Sequence, residues 1–253
     1  PTETILKLLG MPSIRSKEDV IRKYDHEIQG GTAVKPLVGV DNHAPSDASV
    51  IAPLDTVRKG SQKAVALSNG FNPLYGEIDP YAMAWASVDE AMRNIVAVGA
   101  DPDQVAILDN FSWGNTQLPD RLGALVRCLQ GCYSASLAYE TPFISGKDSL
   151  NNEYVGEDGQ RHAIPGTLVI SAVGIVPDVE KTVTMDLKEA GNKLFVIGQT
   201  WQEFGGSHYA LLYGQNGGKA PQPNPNALNI LRKLHTAIQN GWIASCHDLS
   251  EGG

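Results

Sequence analysis

The segment FISGKDSLNNEY, residues 143–154, begins as an apolar run and then becomes almost entirely polar. Gly146 is followed at once by Lys147, Asp148 and Ser149, so a cation, a carboxylate and a hydroxyl stand at the end of a predicted strand. Carboxylate and amide oxygens are the ligands that Mg²⁺ prefers, and Mg²⁺ normally binds together with nucleotide phosphates. The segment therefore raises the question of a phosphate or metal site.

A P-loop does not explain this segment. That motif requires a glycine five residues before the glycine of its Gly-Lys pair, and Thr141 occupies this position. The sequence instead offers further polar clusters, which lie at strand ends or on one helix face. They are PSDAS at 45–49, Glu90 with Asn94, LDNFSWGN at 108–115 and CHDLSEGG at 246–253.

Glu90 and Asn94 are one helical turn apart, so both side chains project from the same face of a predicted helix. Taken alone, this spacing also fits two ordinary surface residues, and Asp47 in PSDAS also fits a turn carboxylate. His247, which directly precedes Asp248, is interpreted as a structural hydrogen-bonding group rather than a base.

Composition narrows the class of protein. The chain has 253 residues, a net charge of −8 and no run of Lys and Arg, which argues against a nucleic-acid partner. It has neither a signal-like N-terminus nor about 18 consecutive apolar residues, so we expect a cytoplasmic protein without a membrane partner. Cys128, Cys132 and Cys246 lack CxxC spacing and predict neither a disulfide framework nor a zinc site.

Hydrophobic periodicity predicts a mixed α/β (α+β) fold that would position these clusters. Long helices are expected from Pro80 to about Gly99, over 118–140 and over 225–240. Strands are expected at 48–54, 63–70, 104–111, 142–146, 166–176, 192–199 and 242–249.

The order of these elements predicts three parts. Residues 1–45 form an N-terminal linker with helices, residues 46–178 form a first domain, and residues 179–253 begin a second α/β unit. The boundary is placed at 177–191. Because SEGG should open a further helix after the last strand, we expect the chain to be a fragment of a longer protein, with its second unit truncated.

The motifs HEIQGGTAVKPLVGVDNHAPSDASVI, YGEIDPYAMAWASVDEAMRNIVAVGADP, LDNFSWGN, GKDSLNNE and CHDLSEGG occur in this order. Together they resemble the second half of the large, synthetase subunit of the phosphoribosylformylglycinamidine synthases, within the aminoimidazole ribotide synthetase-like superfamily. The resemblance covers nearly the whole chain. It implies a barrel-forming N-terminal domain followed by an α/β C-terminal domain. It also implies an ATP-dependent carbon–nitrogen ligase of purine biosynthesis, which converts formylglycinamide ribotide to its amidine with ammonia from glutamine.

The resemblance further divides the polar clusters between two nucleotide sites. One is an auxiliary site for ADP and Mg²⁺. Its implied metal ligands and the two serines beside its nucleotide are Asp47, Glu90, Asn94 and Asp248, with Ser46 and Ser250.

The second implied site is a catalytic half-site, in which Asp109 and Gly146 approach ATP and Ser149 approaches the ribotide. The family often has Asn after this glycine as a magnesium ligand, whereas this chain has Lys147. A lysine cannot bind the metal, so Lys147 is expected at a phosphate and Asp148 becomes the possible ligand. The catalytic histidine of the family is expected in the absent first half, and no catalytic residue is assigned here.

The implied partners are the first half of the same synthetase chain and a glutaminase subunit or domain. Without that first half, an uncovered sheet is expected to make the chain self-associate as a dimer. Two alternatives stay open. The chain could be a structural module that holds auxiliary ADP and Mg²⁺, or a related enzyme such as aminoimidazole ribotide synthetase or selenophosphate synthetase.

Overall fold

The computed structural model describes residues 1–27, 29–215 and 217–250. Its helices are α1 (Thr2–Leu9), α2 (Glu18–Ile21), α3 (Leu54–Arg58), α4 (Pro73–Gly76), α5 (Pro80–Ala97), α6 (Pro119–Ala138), α7 (His208–Leu212) and α8 (Ala227–Gln239). Short 3₁₀ turns cover Pro102–Gln104 and Val179–Lys181. The strands are β1 (Thr32–Val34), β2 (Leu37–Val38), β3 (Ala44–Pro45), β4 (Ser49–Ile51), β5 (Ala64–Phe71), β6 (Val105–Ser112), β7 (Phe143–Ser149), β8 (Glu153–Val155), β9 (Arg161–Ala163) and β10 (Thr167–Val176).

Six strands form one open sheet in the order β1-β4-β5-β10-β6-β7. The long strand β10 is antiparallel to both β5 and β6, whereas β6 and β7 are parallel and are connected through α6. Strands β1 and β7 are the edges, so the sheet of the described residues is not a closed barrel. The barrel implied by the resemblance would require a second sheet.

The two faces of the sheet differ in what covers them. Along β10, every second residue is buried, and these residues belong to the core into which α5 packs. The other face carries partly exposed apolar side chains, including Ile51, Leu67 and Phe71. One face of the sheet is therefore covered by helices, and the other is open.

Helix α5 is buried over most of its circumference and begins with a well-defined cap. The side chain of Asp79 accepts a hydrogen bond from the backbone N–H of Tyr81 at 3.0 Å, and Pro80 occupies the first helical position. Gly99, with φ +108°, follows the end of the helix. The predicted helix from Pro80 to Gly99 is confirmed, as are the helices predicted over 118–140 and 225–240.

Two predicted strands are wrong. Residues 192–199 contain no strand, and Leu194 and Phe195 are about four-fifths exposed. Residues 242–249 contribute only an isolated bridge between Ser245 and Thr184. Both segments have apolar patterns typical of strands, but a strand needs a hydrogen-bonded neighbour, and the described chain supplies none for 192–199.

The N-terminal part is more ordered than its polar sequence predicts. Besides helix α1, it contributes β1 to the main sheet, and β2 and β3 form a separate two-stranded sheet. The division into 1–45, 46–178 and 179–253 stays a prediction. No helix within the described ranges is long and apolar enough to cross a membrane.

Candidate functional site

Asp47 and Asp248, which are 201 residues apart in sequence, meet beside the start of β4. Asp47 Oδ1 accepts a hydrogen bond from the backbone N–H of Asp248 at 3.0 Å and another from His247 Nδ1 at 2.8 Å. Potential ligand atoms of these three residues all lie within 4.8 Å of one another. The structure thus joins two predicted metal ligands and gives His247 a hydrogen-bonding role.

Burial governs the electrostatics of this cluster. The Asp47 and Asp248 side chains are 1% and 5% exposed. Burial raises the pKa of Asp248 to about 6, and the Asp47 carboxylate adds to the rise while Arg93 opposes it. The hydrogen bond to Asp47 raises the pKa of His247. Two buried carboxylates so close together favour a bound cation.

Glu90 and Asn94 project from α5 towards the end of β5. Glu90 Oε2 accepts hydrogen bonds from the backbone N–H of Phe71 at 2.8 Å and from Asn72 Nδ2 at 2.7 Å. Asn94 Nδ2 donates to the backbone carbonyl of Asn69 at 3.0 Å. Both side chains project from the same face of α5, as their spacing of one helical turn predicts, and β5 orients them.

Two oxygens of these predicted ligands lack a hydrogen-bond partner. Five buried side-chain atoms of the described chain have none, and Asp47 Oδ2 and Asn94 Oδ1 are among them. An unsatisfied buried polar atom costs about 1–3 kcal/mol, so such atoms call for an explanation. Both are oxygen donors of the kind that Mg²⁺ prefers, and the residues present therefore fit this ion.

Arg93 connects the two parts of the cluster. It lies on α5 between Glu90 and Asn94, and its Nη1 donates to Asp248 Oδ2 at 2.6 Å. Its Nε donates to Asp89 Oδ2, also at 2.6 Å. Arg93 could not be found from the sequence, because its partner Asp248 lies on a distant segment and no local spacing reveals the contact.

The two predicted nucleotide-binding serines adjoin the cluster in the sequence, Ser46 directly before Asp47 and Ser250 two residues after Asp248. Ser46 Oγ donates to the backbone carbonyl of Ala48 at 2.8 Å, which stabilises the turn that carries Asp47. Ser250 lines a small crevice together with Asn72, the residue that donates to Glu90. Asn72 therefore links the crevice of Ser250 to a predicted metal ligand.

The second predicted cluster lies on β6 and β7. Asp109 is directly opposite Gly146 in the parallel register, and a Cβ atom on Gly146 would overlap the Asp109 carboxylate. Burial raises the pKa of Asp109, and the nearby Asp148 carboxylate raises it further. Glycine is therefore required here for the close approach of Asp109 to the neighbouring strand.

Strand alternation separates this cluster onto the two faces of the sheet. Asp109, Gly146 and Asp148 share the face on which the helices pack. Lys147 and Ser149 project from the open face, where Lys147 Nζ donates to Ser149 Oγ at 3.1 Å. Residues 146–149, which the sequence groups as one site, therefore project their side chains from both faces of the sheet.

An open sheet with helices on one face and a carboxylate–amide cluster near the ends of its strands places the chain among the mixed α/β proteins. The family model "AIR synthase related protein, N-terminal domain" matches residues 45–176, just over half of the chain. The chain belongs to this family.

Relatives with known names match the whole chain. It is 37% identical over 254 residues to the phosphoribosylformylglycinamidine synthase subunit PurL of Alkaliphilus metalliredigens, covering 100% of this chain and 32% of the relative. It is 35% identical to the same subunit of Thermosynechococcus vestitus, covering 100% of this chain and 33% of the relative. The chain therefore spans about a third of the length of these relatives.

Solved structures share the fold. PurLQS from Thermotoga maritima superposes with a TM-score of 0.52 at 24% identity, over 67% of this chain and 25% of that one. Thermotoga maritima PurL complexed with ADP gives a TM-score of 0.51 at 24% identity, with the same coverage. At this level of identity the likeness concerns the fold alone.

Proposed function

We propose that the chain is part of the synthetase of a phosphoribosylformylglycinamidine synthase, an ATP-dependent carbon–nitrogen ligase of purine biosynthesis in the cytoplasm. Residues 46–178 would be one N-terminal domain of the synthetase, and residues 179–253 would begin the following α/β domain. The names of the relatives and the order of the five motifs along the chain support this proposal. The observation that carries it is the identity of 37% and 35% to these relatives over the whole chain. The unsatisfied oxygens of Asp47 and Asn94 support the metal site within it.

The cluster around Asp47 is proposed as an auxiliary site for ADP and Mg²⁺. Asp47, Glu90, Asn94 and Asp248 would hold the ion, and Ser46 and Ser250 would lie beside the nucleotide. When bound, Mg²⁺ supplies positive charge that neutralises the carboxylates and the phosphates. A second candidate function is that of a structural module, in which bound ADP and Mg²⁺ hold the fold together. The contact between Asp47 and Asp248 favours it, because an ion bound there would join two distant segments of the chain.

The cluster on β6 and β7 is proposed as the catalytic half-site. On the helix-covered face, Asp109 and Gly146 would approach ATP and Asp148 would ligate metal. On the open face, Lys147 would bind a phosphate and Ser149 would contact formylglycinamide ribotide. In the proposed reaction the amide oxygen of the ribotide takes the γ-phosphoryl group of ATP, and ammonia then displaces phosphate to give the amidine. A glutaminase partner would supply the ammonia, and the first half of the synthetase would supply the catalytic histidine.

The open face of the sheet is proposed to pair with that first half. Leu67 and Ile51 lie on this face and are 45% and 42% exposed. Lys147 and Ser149 lie on the same open face, on the edge strand β7. A partner sheet would cover the apolar part and complete a site around the polar part.

In the absence of that partner, the chain is expected to dimerise through this face at about tens of micromolar. Leu67→Lys should raise the dissociation constant at least tenfold, because it places a charge within the apolar face. Val126→Lys is the matched control, since Val126 is 46% exposed but lies on α6. Sedimentation velocity measures both. A monomeric wild type, or equal loss from the two variants, would contradict pairing through the sheet.

The proposed activity is expected to require the remainder of the synthetase. The chain alone, mixed with formylglycinamide ribotide, ATP and ammonium, should release no phosphate above background. A second polypeptide with the remaining residues of the Alkaliphilus metalliredigens relative should raise release at least tenfold. Turnover by the chain alone would refute a site divided between two halves, and failure of the mixture would count against the proposed function.

A further inference from the structure

The guanidinium of Arg93 ties the segment around Asp248 to helix α5. Its Nη1 donates to Asp248 Oδ2 at 2.6 Å and to the backbone carbonyl of Leu249 at 2.9 Å. Arg93 therefore contacts both the side chain of Asp248 and the backbone carbonyl of the following residue. Glu90 and Asn94, the predicted ligands on α5, flank Arg93 in the sequence.

Arg93 is itself held in place from the opposite side. Its Nε donates to Asp89 Oδ2, and the other Asp89 oxygen accepts a hydrogen bond from the Tyr139 hydroxyl. Tyr139 is buried, and its ring packs against Trp85 with 6.1 Å between the ring centroids. The guanidinium is therefore anchored in the core between α5 and the end of α6.

Charge alone does not account for this arrangement. A guanidinium near a cation site repels the ion, but the charge of Arg93 is already matched by the adjacent Asp89 carboxylate. Arg93 fixes the orientation of the Asp248 carboxylate, because a planar guanidinium can bond two carboxylates in a fixed geometry. It bonds Asp248 through Oδ2 and leaves Oδ1 of that carboxylate unused by the guanidinium.

We propose that Arg93 is a positioning residue that assembles the magnesium site, by fixing Asp248 against the helix that carries Glu90 and Asn94. This inference rests on the proposed auxiliary site. Residues that orient metal ligands typically change metal affinity by about 10–100-fold when they are replaced. Arg93 thus acts through Asp248 and does not touch the ion.

The test is calorimetric titration of the chain with ADP over a range of Mg²⁺ concentrations. Arg93→Gln should raise the apparent dissociation constant for Mg²⁺ about 10–100-fold, and Arg93→Lys, which keeps the charge without the fork, should raise it by at least tenfold. Binding of ADP without metal should not change. Arg127→Gln is the matched control, because Arg127 forms a forked ion pair with Asp79 at the start of the same helix.

The titrations distinguish failure of the auxiliary site from failure of the positioning role of Arg93. ADP binding by the wild type that does not depend on Mg²⁺ overturns the auxiliary site and this inference together. Magnesium-dependent binding that is unchanged or tighter in Arg93→Gln overturns this inference alone. If Arg93→Gln does not fold, Arg93→Lys carries the test, because it keeps the charge that Asp89 matches and removes only the planar fork.

Discussion

Replacing Asp47 with Asn is expected to weaken the magnesium-dependent binding of ADP by about 100-fold. Asn keeps the shape and an oxygen for the hydrogen bonds from His247 and Asp248, but it places an NH₂ group where the unsatisfied Oδ2 lies. An amide nitrogen cannot ligate Mg²⁺, and one carboxylate charge is lost as well. Calorimetry with and without Mg²⁺ measures the change.

Two further variants show whether the polar clusters are separate sites. Glu90→Gln should weaken the magnesium-dependent part by about tenfold, since it removes a charge but keeps an oxygen that can accept from Phe71 and Asn72. Asp109→Asn should leave this binding unchanged, because Asp109 lies on β6 opposite Gly146. Equal losses from the Asp47 and Asp109 variants would refute the division into two sites.

The parts of the site that depend on local geometry could be predicted from the sequence. The helical period places Glu90 and Asn94 on one face, and both side chains indeed contact β5. The contact of Asp47 with Asp248 joins segments 201 residues apart, and only the family resemblance indicated it. The role of Arg93 could not be predicted for the same reason, since a long-range partner leaves no local pattern.

Other differences between the sequence predictions and the structure arise because a strand forms only where a neighbouring strand can hydrogen-bond to it. Residues 192–199 have the apolar composition of a strand, but the described chain provides no strand to pair with them. In the GKDS segment, the alternation of a strand already implies that Lys147 and Asp148 point in opposite directions. The resemblance grouped them as one site, and the register of β7 with β6 separates them.

Gly70 is the position at which an added methyl group is expected to cost the fold most. Small residues at Ala66, Ser68 and Gly70 face α5 along β5, and Ser68 Oγ donates to the backbone carbonyl of Ala91 at 2.7 Å. A Cβ atom on Gly70 would overlap the carbonyl oxygen of Ser87 and lie 2.8 Å from the backbone nitrogen of Ala91. Both are backbone atoms of the helix, so only a shift of α5 could relieve the overlap.

Gly70→Ala is therefore expected to lower the free energy of unfolding by about 3 kcal/mol, at the upper end of typical overpacking costs. It should also weaken magnesium-dependent ADP binding, because the next residue, Phe71, orients Glu90. Gly123→Ala is the matched control. Gly123 is exposed within α6 with no atom near its Cβ position, so this change should stabilise the chain by about 0.5–1 kcal/mol. Urea denaturation measures both, and a Gly70→Ala variant as stable as the wild type would show that α5 does not lie this close to β5.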